Sequence, residues 1–325
     1  MEFKLFTAEE RRVYRRGTQK FSQRFSNFIS GFSLRLILVF TTPFFLYSCE
    51  KEITIDLPES EKKVVVEGVI EQGKHPYVLL TRSSPYFAPI EDFTNNLFVT
   101  DATVIVSDGI ITDTMQGALS FDIYTPNPVF AYSSDLITGE IGRTYYLTVI
   151  ADGKTLTAST TIPQPIPLDS LWFKEDLGAG DDSLGYVWAH LTDPDTIGNS
   201  YRWFSQILGR QERILPANGS VFNDKFINGQ SFDFAYDPSD DPLESEDPDA
   251  LPLFYFAVGD TVVVKFCTMD KISYNFLNSL ENIRFANGNP FASPSSVFSN
   301  IEGGGLGGWC GYGASYDTIV LTLPQ

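Results

Sequence analysis

Hydrophobic positions along this chain fall into two regimes. Residues 32–45 form one apolar stretch, whereas from residue 63 onward apolar residues come in short runs broken by turn residues at intervals of about 8–12 positions. Lys63–Ile70 is β-branched and ends at Gln72-Gly73, and Tyr77–Thr81 follows it. Residues 83–99, with Pro85, Pro89, Asn95 and Asn96, read as a long surface loop. Ala102–Ser107 and Ile110–Met115 flank Asp108-Gly109, and Arg143–Ile150 and Thr155–Thr160 flank Asp152-Gly153. A β-branched run on each side of an Asp-Gly pair signals a hairpin, because both residues tolerate the positive φ of a tight turn. Leu119–Tyr124 and Val129–Tyr132 add two shorter strands. The spacing predicts an immunoglobulin-like β-sandwich over residues 63–162.

Three prolines at alternate positions, Pro163, Pro165 and Pro167, exclude a central strand and predict a stiff, extended linker over residues 163–168. A second β-rich domain is expected over residues 169–325. Its strands include Gly185–Leu191, Ser200–Leu208, Phe254–Val258, Thr261–Cys267 and a last one at Thr318–Leu323. One helix interrupts them. Asp270 can cap it, Ile272, Phe276, Leu277, Leu280 and Ile283 repeat at helical spacing, and Asn287-Gly288 ends it. That stripe reads as core packing against the sheet. The run Gly303–Gly313 lacks the Lys and Ser/Thr of a phosphate loop, so its glycines are expected to permit close backbone approach or a bulge in a strand. The fold class is therefore mainly β, an N-terminal sandwich followed by a second β-rich domain carrying one amphipathic helix.

The early apolar stretch has a different meaning. It is interrupted chiefly by Arg35, Thr41 and Thr42, and follows a leader holding Lys4, Arg11, Arg12, Arg15, Arg16, Lys20 and Arg24. It falls short of the roughly 20 residues of a spanning helix but suits the apolar core of a signal peptide. Leu46-Tyr47-Ser48-Cys49 then resembles the cleavage site of a bacterial lipoprotein, with residues 1–48 removed, Cys49 acylated and residues 49–62 left as a tether. The alternative is an uncleaved N-terminal anchor with Cys49 as a free thiol. More than one acyl chain is needed for a stable anchor, since each buried methylene contributes only about 0.8 kcal/mol. Charge divides at the same place. Residues 1–48 hold eight basic and three acidic side chains, a balance of +5, and the remaining 15 and 38 leave −23. Such an acidic body disfavours nucleic acid, which needs clustered Lys and Arg.

Candidate chemistry is sparse. With Cys49 taken by lipid, Cys267 and Cys310 remain as a candidate disulfide, worth roughly 3–4 kcal/mol in the chain-entropy model. The acidic loop at 237–249 offers Asp237, Asp240, Asp241 and Glu244 as oxygen ligands for Ca²⁺; its spacing departs from an EF-hand, and a solvated, proline-broken loop is the plainer reading. Asp193, Asp195 and Asn199 read as turn chemistry. His75 and His190 each stand alone in a strand-like segment, without another His or Cys at ligand spacing. No Gly-x-Ser-x-Gly elbow occurs. Nothing here calls for a catalytic residue or a cofactor.

Several segments carry a resemblance. Val64-Val65-Val66-Glu67-Gly68, Asp101-Ala102-Thr103-Val104 and Gly142–Val149 look like one family, as do Asp193-Pro194 with Asn199-Ser200-Tyr201-Arg202, Asn287–Phe291 and Asn300-Ile301-Glu302-Gly303-Gly304. Together with Cys49 they resemble the domain of unknown function 4249, lipoproteins of the Bacteroidota, over nearly all of residues 50–325. The resemblance implies an outer-membrane place, on the surface or the periplasmic side. It implies a non-catalytic role beside a TonB-dependent transporter, and it implies no reaction. Glu50-Lys51-Glu52 loosely resembles the charged signal that sends such lipoproteins to the cell surface. The alternative expectation is a structural or adhesive surface module, with the acidic loop binding calcium.

Overall fold

The computed structural model describes residues 61–84, 97–121, 128–181, 183–239, 254–286 and 296–323. All of them lie in one compact unit, residues 59–325. The leader and Cys49 fall outside the described residues, as do Asp240, Asp241, Glu244 and the expected helix stop at Asn287-Gly288.

The chain before the proline segment forms β1 (Val64–Glu71), β2 (Tyr77–Arg82), β3 (Thr103–Ser107), β4 (Thr112–Thr114), β5 (Gln116–Phe121), β6 (Pro128–Ser133), β7 (Thr144–Ala151) and β8 (Lys154–Thr161). After it come β9 (Ser170–Glu175), β10 (Leu184–Thr192), β11 (Ser200–Ile207), β12 (Leu215–Asn223), β13 (Ser231–Tyr236), β14 (Phe256–Ala257), β15 (Thr261–Met269), helix α1 (Lys271–Ala286) and β16 (Leu306–Val320). Both Asp-Gly turns form as expected. Asp152 and Gly153 take φ of 50° and 73° between β7 and β8, and the Asp108 carboxylate accepts from the amides of Ile110 and Ile111.

These strands build a mainly β, sandwich-like body from three sheets. One has eight strands in the order β12-β11-β15-β16-β1-β2-β6-β5; the others are β4-β3-β7-β8 and a four-stranded sheet centred on β10. The long sheet corrects the division at 163–168 into two sequential domains. Four of its strands precede the proline segment and four follow it. β16 joins them. Its first half runs parallel to β1, from Leu306 opposite Val65 to Tyr312 opposite Glu71, and its second half runs antiparallel to β15, from Tyr312 opposite Met269 to Val320 opposite Thr261.

The proline segment is irregular and extended, as expected, but it is packed against the sheet. The Ile166 amide donates to Thr268 Oγ1 at 3.0 Å, and a Cβ on Gly313 would stand 2.2 Å from the Pro163 carbonyl oxygen. The chain crosses over β16 where β16 has no side chain. The expectation for the glycine run holds in this form. Gly307, at φ 101°, would place a Cβ 1.9 Å from the Val66 carbonyl oxygen, and Gly308 lies under the Phe276 ring of α1. The run is the first half of the strand expected only at its end.

Three apolar clusters result among the described residues. Trp309, fully buried, anchors the first, between β4-β3-β7-β8 and the part of the long sheet around β1; its indole N–H donates to the Tyr145 carbonyl. Trp203, also fully buried, anchors the second, between β11 and β15 and the β10 sheet, with the rings of Phe234 and Tyr236 within 6 Å. The third lies under α1, around Phe204, Cys267, Leu277 and Tyr312. Asp270 caps α1 through the Ser273 amide at 2.8 Å and also accepts from Thr161 N of β8. The buried line of α1 runs through Ser273 and Leu277, while Ile272 is exposed, so the expected stripe is rotated by part of a turn.

Candidate functional site

The β10 sheet packs one face on the second apolar cluster and turns the other outward. Val187, Ala189 and Leu191 of β10 are fully buried, and Phe173 of β9 and Phe232, Phe234 and Tyr236 of β13 point the same way. Side chains alternate along a strand, so Tyr186, Trp188 and His190 point to the opposite face. The outward face of a sheet buried on one side is ordinarily polar. Here its central strand carries two aromatic rings and an imidazole.

Strand register assembles the neighbours. Trp172 lies directly opposite Trp188, and the two rings stack with centroids 6.3 Å apart and planes 23° apart. Lys174, opposite Tyr186, holds its ammonium 5.0 Å from the centroid of the Trp188 ring. Tyr255, just before β14, brings its ring to 5.4 Å from Tyr186, and its hydroxyl donates to Asp176 Oδ2 at 3.1 Å. Burial, and then the neighbouring Tyr255, push the Tyr186 phenol up to about 12, so it stays a neutral hydroxyl at ordinary pH. On the other margin His190 Nδ1 lies 2.6 Å from Asp233 Oδ1. The surface is an aromatic platform edged by hydrogen-bonding groups; its rings are half-buried, and Lys174 and Asp233 are exposed.

Two further polar clusters serve the fold. Glu71, at the end of β1 and 4% exposed, pairs with Lys265 of β15 at 2.5 Å and Lys74 at 2.8 Å, and accepts from the Tyr316 hydroxyl. Burial works against its charge, but the Lys265 ammonium and these hydrogen bonds outweigh it and hold the carboxyl below the ordinary carboxylate range. Asp193 and Asp224, both buried, accept from Tyr201 Oη and Gly229 N, and from Gly198 N and Asn199 N respectively. The turn reading of the 193–199 segment agrees with this. A cleft of about 330 Å³ between β8, the start of α1 and residues 298–302 is lined by Tyr146, Ile272, Phe298 and Glu302, among others. The Asn300 amide in its wall is engaged on the backbone N and O of Trp309.

The expected site residues divide as follows. Cys49 lies outside the described residues. Cys267 and Cys310 are free, buried thiols, which corrects the candidate disulfide. Cys267 lies opposite Ala314, four positions along β16 from Cys310, or roughly 13 Å of strand against the 7 Å that a disulfide can span. Burial pushes both thiols up to about 12. Of the calcium candidates Asp237 stands exposed after β13, and the other three lie outside the described residues. Among the described residues no three His, Cys, Asp or Glu side chains converge on one point, and no helix is long and apolar enough to cross a membrane. His75 donates from Nδ1 to the Ile137 carbonyl at 2.8 Å. The aromatic platform escaped the sequence reading, because Trp172 fell in no expected strand. The alternation Tyr186-x-Trp188-x-His190 was the available signal.

No curated protein matches the chain in sequence. The model of one protein family does, over residues 50–314, which takes in the platform and every described strand except the last part of β16. The chain belongs to the family described as a domain of unknown function, DUF4249.

Proposed function

We propose that this protein is a non-catalytic binding module, anchored by lipid on Cys49 to the outer membrane of a bacterial cell, that assists a TonB-dependent transporter. The single observation that carries the binding role is the outward aromatic platform of Trp172, Tyr186, Trp188 and Tyr255. These rings are half-buried; leaving a cluster of them partly in water forgoes some of the burial that aromatic side chains otherwise gain, and apolar clusters that reach the surface mark interaction surfaces. The anchor is supported by the basic leader, the apolar stretch before Leu46-Tyr47-Ser48-Cys49 and the reversal of charge from +5 to −23 across that site. The transporter partner rests on the family resemblance.

Two experiments test this reading. Replacing Cys49 by Ala is expected to move the protein from the membrane to the soluble envelope fraction; unchanged membrane attachment refutes the lipid anchor. Affinity capture of the wild-type chain from detergent-solubilised outer membrane is expected to recover a TonB-dependent transporter. Repeated recovery of none refutes that partnership.

A further inference from the structure

We infer that the platform on the β10 sheet binds a neutral saccharide chain, an inference that rests on the binding role proposed above. Its geometry points to a ligand that is both flat and hydroxylated. Trp172 and Trp188 stand in register on adjacent strands, and the tilted Tyr186–Tyr255 pair continues the aromatic surface along β10. Aromatic faces carry partial negative charge and attract the weakly positive C–H groups of a pyranose ring. The edges supply what the hydroxyls of such a ring need. Asp233 and Asp176 accept hydrogen bonds, and Lys174 and the Tyr186 hydroxyl donate. A purely apolar partner, a lipid tail or the buried face of a helix, would strip water from these edge groups and offer their remaining donors and acceptors nothing in return.

Charge narrows the class. The platform is edged by the carboxylates Asp176 and Asp233 with one ammonium, Lys174, on a chain carrying −23 after residue 48. An anionic polysaccharide would meet repulsion both close up and at range. A neutral one would use the same carboxylates as acceptors. Alternating ring and hydroxyl contacts along a strand also suit an extended oligomer better than a single sugar, because each ring stacks weakly and several act together.

The chain contains four tryptophans, two on the platform and two, Trp203 and Trp309, fully buried. All four emit, but a change in emission on adding ligand is expected to come from the two on the platform. The full chain, in a sugar-free zwitterionic detergent, is titrated with maltohexaose, cellohexaose, xylohexaose and mannohexaose, and with oligogalacturonate as the anionic probe. The expected result is a saturable shift in tryptophan emission with at least one neutral hexasaccharide. Trp188→Ala is expected to weaken that binding about tenfold, and the Trp172→Ala/Trp188→Ala pair to abolish it, with the thermal unfolding midpoint unchanged. Because emission from the platform is lost in the double variant, isothermal calorimetry supplies its binding readout. The inference is overturned if no neutral hexasaccharide binds, if the double variant binds as tightly as the wild type, or if oligogalacturonate binds more tightly than every neutral probe. These outcomes are independent of membrane fractionation and transporter capture, so failure here and failure of the anchor or transporter reading are told apart.

Discussion

Glu71 is the residue on which the two parts of the long sheet are electrostatically tied. Its carboxylate is buried against Lys265, with Lys74 and Tyr316 completing its hydrogen bonds. Glu71→Gln keeps the shape and removes the charge, leaving Lys265 buried without its counter-charge. The expected loss is about 3 kcal/mol in urea denaturation at pH 7. The sign of the pH dependence follows from the direction of the shift. A carboxyl held below its unfolded value contributes stability that is fully present above that value, about 4.3, and is lost as pH falls through the lower folded one. The stability gap between wild type and variant should hold steady above about pH 5 and shrink on further acidification; a gap that widens on acidification would contradict the assignment.

The cysteines give a second test at this scale. Cys267 and Cys310 are buried with their thiols pushed up to about 12, so in the native protein at pH 8 they should not react with an aromatic disulfide reagent. In denaturant, the chain isolated from membranes should titrate two thiols per molecule. Three would show that Cys49 carries no lipid.

Among the elements, β16 has the unusual duty. It must pass beneath the proline segment on one side and α1 on the other, and its glycines make room for both. A methyl group added at Gly313 meets the Pro163 backbone at 2.2 Å, where no flexible side chain can yield. Gly313→Ala is therefore expected to cost about 2–3 kcal/mol, measured by chemical denaturation. An alanine tolerated there without loss would mean that the crossing is not close. The hairpins β3–β4 and β7–β8 were legible from their Asp-Gly pairs because turn geometry is a local property. β12 was not, since Pro216 and Asn218-Gly219 break its pattern; β11 beside it holds it in the sheet, with a register shift between Arg202 and Phe204.

At the scale of the molecule, a shared strand makes the two sandwiches one folding unit. Had residues 63–162 and 169–325 been separate domains, calorimetry would show two transitions, or one fragment folding alone. With β16 spanning both, a single cooperative transition is expected, and a fragment ending at residue 165 is expected not to fold, because β1 would lose the partner it meets at Leu306–Tyr312. Two resolved transitions would restore the sequential division. Arg82 closes the first sandwich across its layers, with Nη2 and Nε bonding the two oxygens of Asp152 in the β7–β8 turn at 2.9 and 3.0 Å.

What the sequence by itself determined is whatever depends on near neighbours. That includes most strands, both Asp-Gly hairpins, the capped helix, the division of charge at Cys49 and the reading of the glycines as places of close approach. Tertiary structure alone decided which strands share a sheet, that Cys267 and Cys310 lie too far apart along neighbouring strands to pair, and that Glu71 meets Lys265. It alone brought Trp172 into register with Trp188. The physical reason is common to all four. Register between strands distant in sequence is set by the packing of whole faces, and period-two alternation tells which side chains share a face without telling which strand lies alongside.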